Sequence, residues 1–226
     1  MEKIVLMLQL QADLNEATNG EKWTSGITKN NKVINWKRCI YMECAEMIDS
    51  FSWKHWKNID KEADWANLQI EVVDVWHFIM SLAIEQNAQS GIGVIASKLA
   101  KVQSFEKILA KNGLFAKESE IMEKIEAIML ESLLKKEFHL DRLVNDFFDL
   151  VVMSGLDLET LYKLYVGKNI LNQFRQDHGY KDGSYIKVWG GEEDNVVMQR
   201  VLEQNSDIAP AKLYEELEKF YPAQKN

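Results

Sequence analysis

Glu43 and Glu46 stand three residues apart in an apolar stretch, Cys39-Ile-Tyr-Met-Glu-Cys-Ala-Glu-Met-Ile48. Glu71 and Asp74 repeat the spacing in Leu68-Gln-Ile-Glu-Val-Val-Asp-Val-Trp-His-Phe-Ile79. Residues three apart in a helix share a face, so each pair projects two carboxylates from one side. The spacing alone is common in this chain: Asp13/Glu16, Glu120/Glu123, Glu123/Glu126, Asp146/Asp149 and Glu215/Glu218 show it and read as solvated faces. The apolar surroundings set the first two pairs apart, because carboxylates on a buried helix are costly unless neutralised. No Lys or Arg lies within one helical turn of Glu71 or Asp74. A divalent cation shared by the four carboxylates answers that cost, and hard oxygen-only ligation points to Mg²⁺, with Mn²⁺ as the alternative. Asp74-x-x-His77 also matches half of the signature of di-iron carboxylate bundles. The other half is missing, since Glu46 is followed three residues later by Asp49. His77 therefore reads as a histidine of the core or one standing behind the ligands.

A second set of residues carries the opposite charge. Between Lys163 and Lys187 lie Lys163, Lys168, Arg175, Lys181 and Lys187 against only Asp177 and Asp182. Lys168, Asn172 and Arg175 follow i, i+4, i+7 and line one helical face, with Tyr165 beside them. The loop Gly179-Tyr-Lys-Asp-Gly-Ser-Tyr-Ile-Lys-Val-Trp189 adds cations, hydroxyls and glycine-exposed backbone amides. Such groups suit a polyphosphate. A surface helix with a loose loop has the same composition. Together with four carboxylates for metals, however, this segment makes a nucleoside triphosphate site.

The elements that must hold these groups are helices. Apolar residues at helical spacing predict a first helix over Ile4–Ala17, ending at the turn dipeptide Asn19-Gly20. A second runs from Asn35, a candidate N-cap, through Ser50, and Phe51, Trp53, His55 and Trp56 occupy the connection that follows. Asp64 caps a third that continues to about Ala88 and is apolar nearly all round from Ile70 to Ile84, the mark of a helix buried on most sides. Further helices are predicted over Val94–Ala110, Lys117–Lys136 and Leu140–Met153, and Asp157 caps another over Leu158–Gln176. The glycines of His178–Gly191 make that stretch irregular. A short helix near Asn195–Gln204 and a last one with Pro210 in its first turn close the chain. The fold class is all-α.

Composition sets the outer bounds. The 226 residues are 46% hydrophobic and 27% charged, with 11 Gly, 2 Pro and 2 Cys, which excludes general disorder, a turn-rich β-sandwich and a disulfide scaffold. A formal charge of −8 with no basic arm argues against nucleic-acid binding. No apolar run approaches a membrane span, since Val72–Ile84 is interrupted by Asp74 and His77. Met1–Leu10 has neither a basic n-region nor a cleavage site. A soluble, cytoplasmic protein with no membrane or nucleic-acid partner is expected.

These segments, in this order and spacing, resemble the dimeric all-α dUTPases of the MazG-like NTP pyrophosphatase superfamily, most of all the epsilon-proteobacterial versions. The likeness is carried by Leu10-Gln-Ala-Asp-Leu-Asn-Glu-Ala-Thr-Asn-Gly20, Trp36–Ser50, Trp53-Lys-His-Trp-Lys57, Glu71–Phe78, Gly167–Gln176 and Gly179–Tyr185. It spans nearly the whole chain and is least diagnostic over Ala88–Lys136. The resemblance implies a single domain over 1–226, with a metal-bearing core at about 1–90 and a mobile phosphate-closing part at about 157–191. It implies that Glu43, Glu46, Glu71 and Asp74 hold two or three Mg²⁺ ions along the triphosphate. Gln11 and Asn15 would meet the base or sugar, and Trp53, Trp56 and Phe78 would enclose the uracil. Lys168, Asn172, Arg175, Tyr180 and Lys187 would close over the phosphates. The implied reaction is hydrolysis of dUTP, and of dUDP, to dUMP by a homodimer, with attack at the β-phosphorus and Glu43 or Glu46 as the base. A broader or dCTP-directed pyrophosphatase would carry the same carboxylates, and a non-catalytic helical dimerisation protein is the alternative of a different class.

Overall fold

A computed structural model describes residues 1–57, 61–205 and 208–222. Its described residues form ten α-helices: α1 (Glu2–Asn19), α2 (Trp36–Ile48), α3 (Trp65–Gln86), α4 (Ile92–Leu99), α5 (Phe105–Leu109), α6 (Glu118–Leu133), α7 (Leu140–Met153), α8 (Leu158–Asp177), α9 (Asp194–Gln204) and α10 (Pro210–Phe220). The only sheet among them is the two-residue pair β1 (Val188–Trp189) and β2 (Glu192–Glu193), so the all-α class holds. No described helix is long and apolar enough to cross a membrane. Asn35 and Asp64 cap α2 and α3 as their sequence positions predict, accepting from the backbone N–H groups of Arg38 at 2.9 Å and Asn67 at 3.0 Å. Asp157 does the same for α8, accepting from Thr160 N at 2.8 Å.

The helix predicted over Val94–Ala110 is two helices, α4 and α5. Asn145 takes the backbone N–H of Ser104 at 3.0 Å and Asp149 accepts from its hydroxyl at 2.6 Å. Both partners sit on α7, so the chain exchanges helical bonds for tertiary ones and turns there.

The chain divides into two compact units, Met1–Tyr162 and Lys163–Asn226. In the first, α3 is the central element, packed on α1, α2, α4 and α7, while α6 lies against α2 and α7. Its apolar circumference accounts for this position, since each face meets a different neighbour. Trp76 of α3 stacks on Phe147 of α7 at 4.9 Å and 6° and touches Phe148 at 5.4 Å. On α2, Trp36 is pinned between Trp23 at 5.9 Å and Phe78 of α3 at 6.1 Å. These contacts fix the register of α2 against α3, the two helices that carry the predicted carboxylates.

In the second unit, Phe174 of α8 gathers His178, Tyr214, Tyr221 and Trp189 around its ring, at 3.8, 5.1, 5.3 and 5.5 Å. A Cβ on Gly167 would stand 2.6 Å from Leu202 Cδ1 and 2.8 Å from the Met198 sulfur, so these two side chains of α9 pack directly on the glycine and would have to shift for any larger residue. The expected irregular stretch holds a 3-10 turn at Tyr180–Asp182 and the tight β1–β2 hairpin. Gly190 and Gly191 both have positive φ, 61° and 98°, as a two-residue hairpin loop demands.

Candidate active site

The packing of α2 on α3 brings three of the four predicted carboxylates together. One oxygen each from Glu43, Glu46 and Glu71 lie within 4.8 Å of one another, the only such group of three or more acidic, His or Cys ligand atoms among the described residues. Glu71 is buried, Glu43 is half-buried and Glu46 is exposed, so the cluster opens to solvent on one side. Asp74, half-buried one turn further along α3, stands outside that close group. Nearby, burial and the charge of Glu43 push the thiols of Cys39 and Cys44 up, and both cysteines are free. The donor set is hard and oxygen-only, which fits Mg²⁺ or Mn²⁺. Ligands of one such ion at about 2.1 Å are at most about 4.2 Å apart, so the carboxylates need move only slightly to share it.

Gln11 and Asn15 of α1 face α3 in a buried network of amide and hydroxyl groups. Ser81 Oγ accepts from Gln11 Nε2 at 3.0 Å and from Asn15 Nδ2 at 2.9 Å, and it donates to the carbonyl of His77 at 2.8 Å. Gln11 Nε2 also donates to Asn15 Oδ1 at 3.2 Å. Gln11 Oε1 is therefore the acceptor toward His77 Nδ1 at 2.6 Å, which places the proton of that contact on the histidine. His77 thus partners the predicted pair, and Ser81 is a participant the sequence reading missed. A signal existed: Glu71, Asp74, Phe78 and Ser81 fall at i, i+3, i+7 and i+10, a face that interrupts an otherwise apolar helix.

The aromatic residues separate into two groups. Trp53 and Trp56 meet edge to face at 5.4 Å and are 40% and 62% exposed. Trp53 is anchored by its indole N–H to Asp49 at 2.8 Å, an acceptor that Lys54 shares. Phe78 lies with Trp36 instead, half-buried and stacked.

In the second unit the predicted cations converge on Asp194-Asn195, at the start of α9. Arg175 grips Asp194 through Nε and Nη2, both at 2.8 Å, and its Nη1 donates to Asn172 at 3.1 Å. Lys168 Nζ donates to Asn195 Oδ1 at 2.9 Å, and the Tyr180 ring lies 5.8 Å from the Arg175 guanidinium. Lys187, half-exposed, pairs with Glu193 at 3.1 Å. Burial works to raise the Asp194 carboxyl, but the Arg175 guanidinium and the Tyr185 hydroxyl hold it below the usual carboxylate range. Asp194 and Asn195 were not foreseen, because polar residues at a helix start read locally as a cap, and Tyr185 was read only as one of the loop's hydroxyls, without its bond to Asp194.

The fold is all-α, and its acidic cluster rides on two packed helices that the family comparison also covers. The model of the dUTPase family matches residues 3–180, most of the chain. The chain therefore belongs to the dUTPase family and is an enzyme that hydrolyses dUTP. No curated protein matches it.

Proposed function

We propose that the enzyme converts dUTP, and also dUDP, to dUMP in a Mg²⁺-dependent reaction, with Glu43, Glu46, Glu71 and Asp74 holding the metal. The observation that carries this reading is the close approach of Glu43, Glu46 and Glu71 on two packed apolar helices, inside the span matched by the family. When bound, Mg²⁺ offsets phosphate charge and acidifies a water molecule. Glu71, buried at the base of the cluster, serves as a ligand, while Glu43 or Glu46, nearer solvent, takes the proton of the attacking water. Gln11 and Asn15 meet the base or sugar, Trp53, Trp56 and Phe78 flank the uracil, and Lys168, Asn172, Arg175, Tyr180 and Lys187 bind the phosphates. By its resemblance to the dimeric members, the working form is a cytoplasmic homodimer.

The test is phosphate and pyrophosphate release from dUTP, dUDP, dCTP, dTTP and UTP with and without Mg²⁺, in the parent enzyme and in Glu46→Gln. Release from dUTP and dUDP alone, abolished by chelation and by the substitution, is expected. Equal release from dCTP or UTP would assign a broader pyrophosphatase. Full activity in Glu46→Gln would remove that residue from the site.

A further inference from the structure

Asp194 has 0% exposure, and its carboxylate accepts from three residues at short range: Arg175, Tyr185 and the Asn195 backbone N–H, the last at 2.8 Å. Its two oxygens accept from both donor edges of Arg175 at 2.8 Å, and Oδ2 also accepts from the Tyr185 hydroxyl at 2.7 Å. Its own backbone N–H donates to Lys187 O at 3.0 Å. A carboxylate taken wholly out of water needs such saturation, and a forked pair fixes the plane of a guanidinium as a single lysine contact could not. Tyr185 and Lys187 both lie on the loop after α8, so the same residue grips α8 through Arg175 and holds the loop at two points. Of the guanidinium's N–H groups, Nε and Nη2 form the fork, Nη1 donates to Asn172 Oδ1 at 3.1 Å and Nη2 also donates to Asn195 Oδ1 at 3.3 Å.

Resting on the reading that Arg175 contacts substrate phosphates, we propose that Asp194 is the positioning residue of the phosphate-binding segment. It holds the Arg175 guanidinium in one plane and, through Tyr185, ties down the loop that bears Tyr180 and Lys187. Its action falls on the triphosphate end of the nucleotide and not on the base. An arginine without that grip keeps its charge but samples many rotamers, and ordering it on binding costs affinity.

The experiment compares the intact chain with Arg175→Ala, Asp194→Asn, the double variant and Tyr185→Phe. It measures affinity for non-hydrolysable α,β-imido-dUTP and for deoxyuridine, which lacks phosphate, alongside thermal unfolding. Arg175→Ala and Asp194→Asn should each weaken imido-dUTP by about tenfold or more, the scale of a lost charged hydrogen bond. Deoxyuridine binding should stay within about twofold, and the double variant should be no weaker than Arg175→Ala, since both act through one group. Tyr185→Phe should show the same split at smaller size, and it decides the matter if Asp194→Asn does not fold. Normal imido-dUTP binding in Asp194→Asn, or in Tyr185→Phe where that variant decides, overturns the proposal while a defect in Arg175→Ala leaves the parent reading standing. Equal loss of deoxyuridine binding overturns it as well, because a merely structural carboxylate would act that way. Normal binding by Arg175→Ala removes the parent reading and the proposal together.

Discussion

Replacing Ser81 by alanine removes one oxygen from the centre of the α1–α3 interface, and its effect can be estimated from the bonds that oxygen makes. Ser81 is 0% exposed, and its Oγ accepts from the amides of Gln11 and Asn15, themselves 2% and 4% exposed. At that depth solvent is a poor substitute for the hydroxyl as acceptor. Its donated bond, to the His77 carbonyl four residues back, matters less, because that carbonyl also accepts within the helix. Two buried N–H donors left without this acceptor cost about 1–2 kcal/mol each, the lower part of the range for unsatisfied groups, because Gln11 keeps its bond to Asn15. The sum is about 2–4 kcal/mol. For a domain of this size that lowers Tm by roughly 4–16 °C. Differential scanning calorimetry of the parent and Ser81→Ala reads it directly. The kinetic counterpart is a rise in KM for dUTP with a smaller change in kcat, since the amides proposed to meet the nucleotide lose their fixed orientation. A Tm within about 2 °C of the parent would refute the reasoning, because it would mean that the hydroxyl is not the shared acceptor of both amides.

Other substitutions probe the remaining parts. Trp56→Ala should leave stability within about 0.5 kcal/mol, as its ring is largely exposed. It should raise KM for dUTP about tenfold if the ring stacks on the base, on the scale of aromatic–base stacking; steady-state kinetics and thermal unfolding together check this. Glu71→Gln should abolish Mg²⁺ binding by isothermal titration and lower kcat by at least about 100-fold, the scale of acid–base and metal contributions. For the Asp149 carboxyl, burial works upward, but the Lys107 ammonium, the Ser104 hydroxyl and the charge of Lys124 hold it below its ordinary value. The stability it contributes is present above the unfolded value near about 3.9 and is lost as pH falls through the lower folded value. Asp149→Asn should therefore be less stable at neutral pH, with a flatter decline below about pH 4 in acid denaturation curves.

Much of this architecture was legible in the chain because it depends on local physics. Asn35, Asp64 and Asp157 each sit ahead of an apolar-periodic run, and each caps its helix, because capping involves a side chain and a backbone amide only three residues apart. The apolar character of α3 over most of its circumference announced its central position, since a helix that is apolar on nearly every side must be covered on most of them. The break between α4 and α5 was hidden, because its cause is Asn145 and Asp149, some forty residues away on α7.

The site shows the same division. Sequence by itself determined which carboxylates could act together within a helix, because 3.6 residues per turn places Glu43 beside Glu46 and Glu71 beside Asp74 whatever surrounds them. It also supplied the family resemblance that the match over residues 3–180 now supports. Tertiary structure alone decided that Glu71 joins the α2 pair within 4.8 Å while Asp74 stays outside that close group. It alone placed Phe78 against Trp36, joined Gln11 and Asn15 through Ser81, and buried Asp194 beneath Arg175. Each of these depends on how helices distant in sequence dock. The register of docking follows from the packing of large side chains such as Trp36 and Trp76, which helical periodicity does not encode.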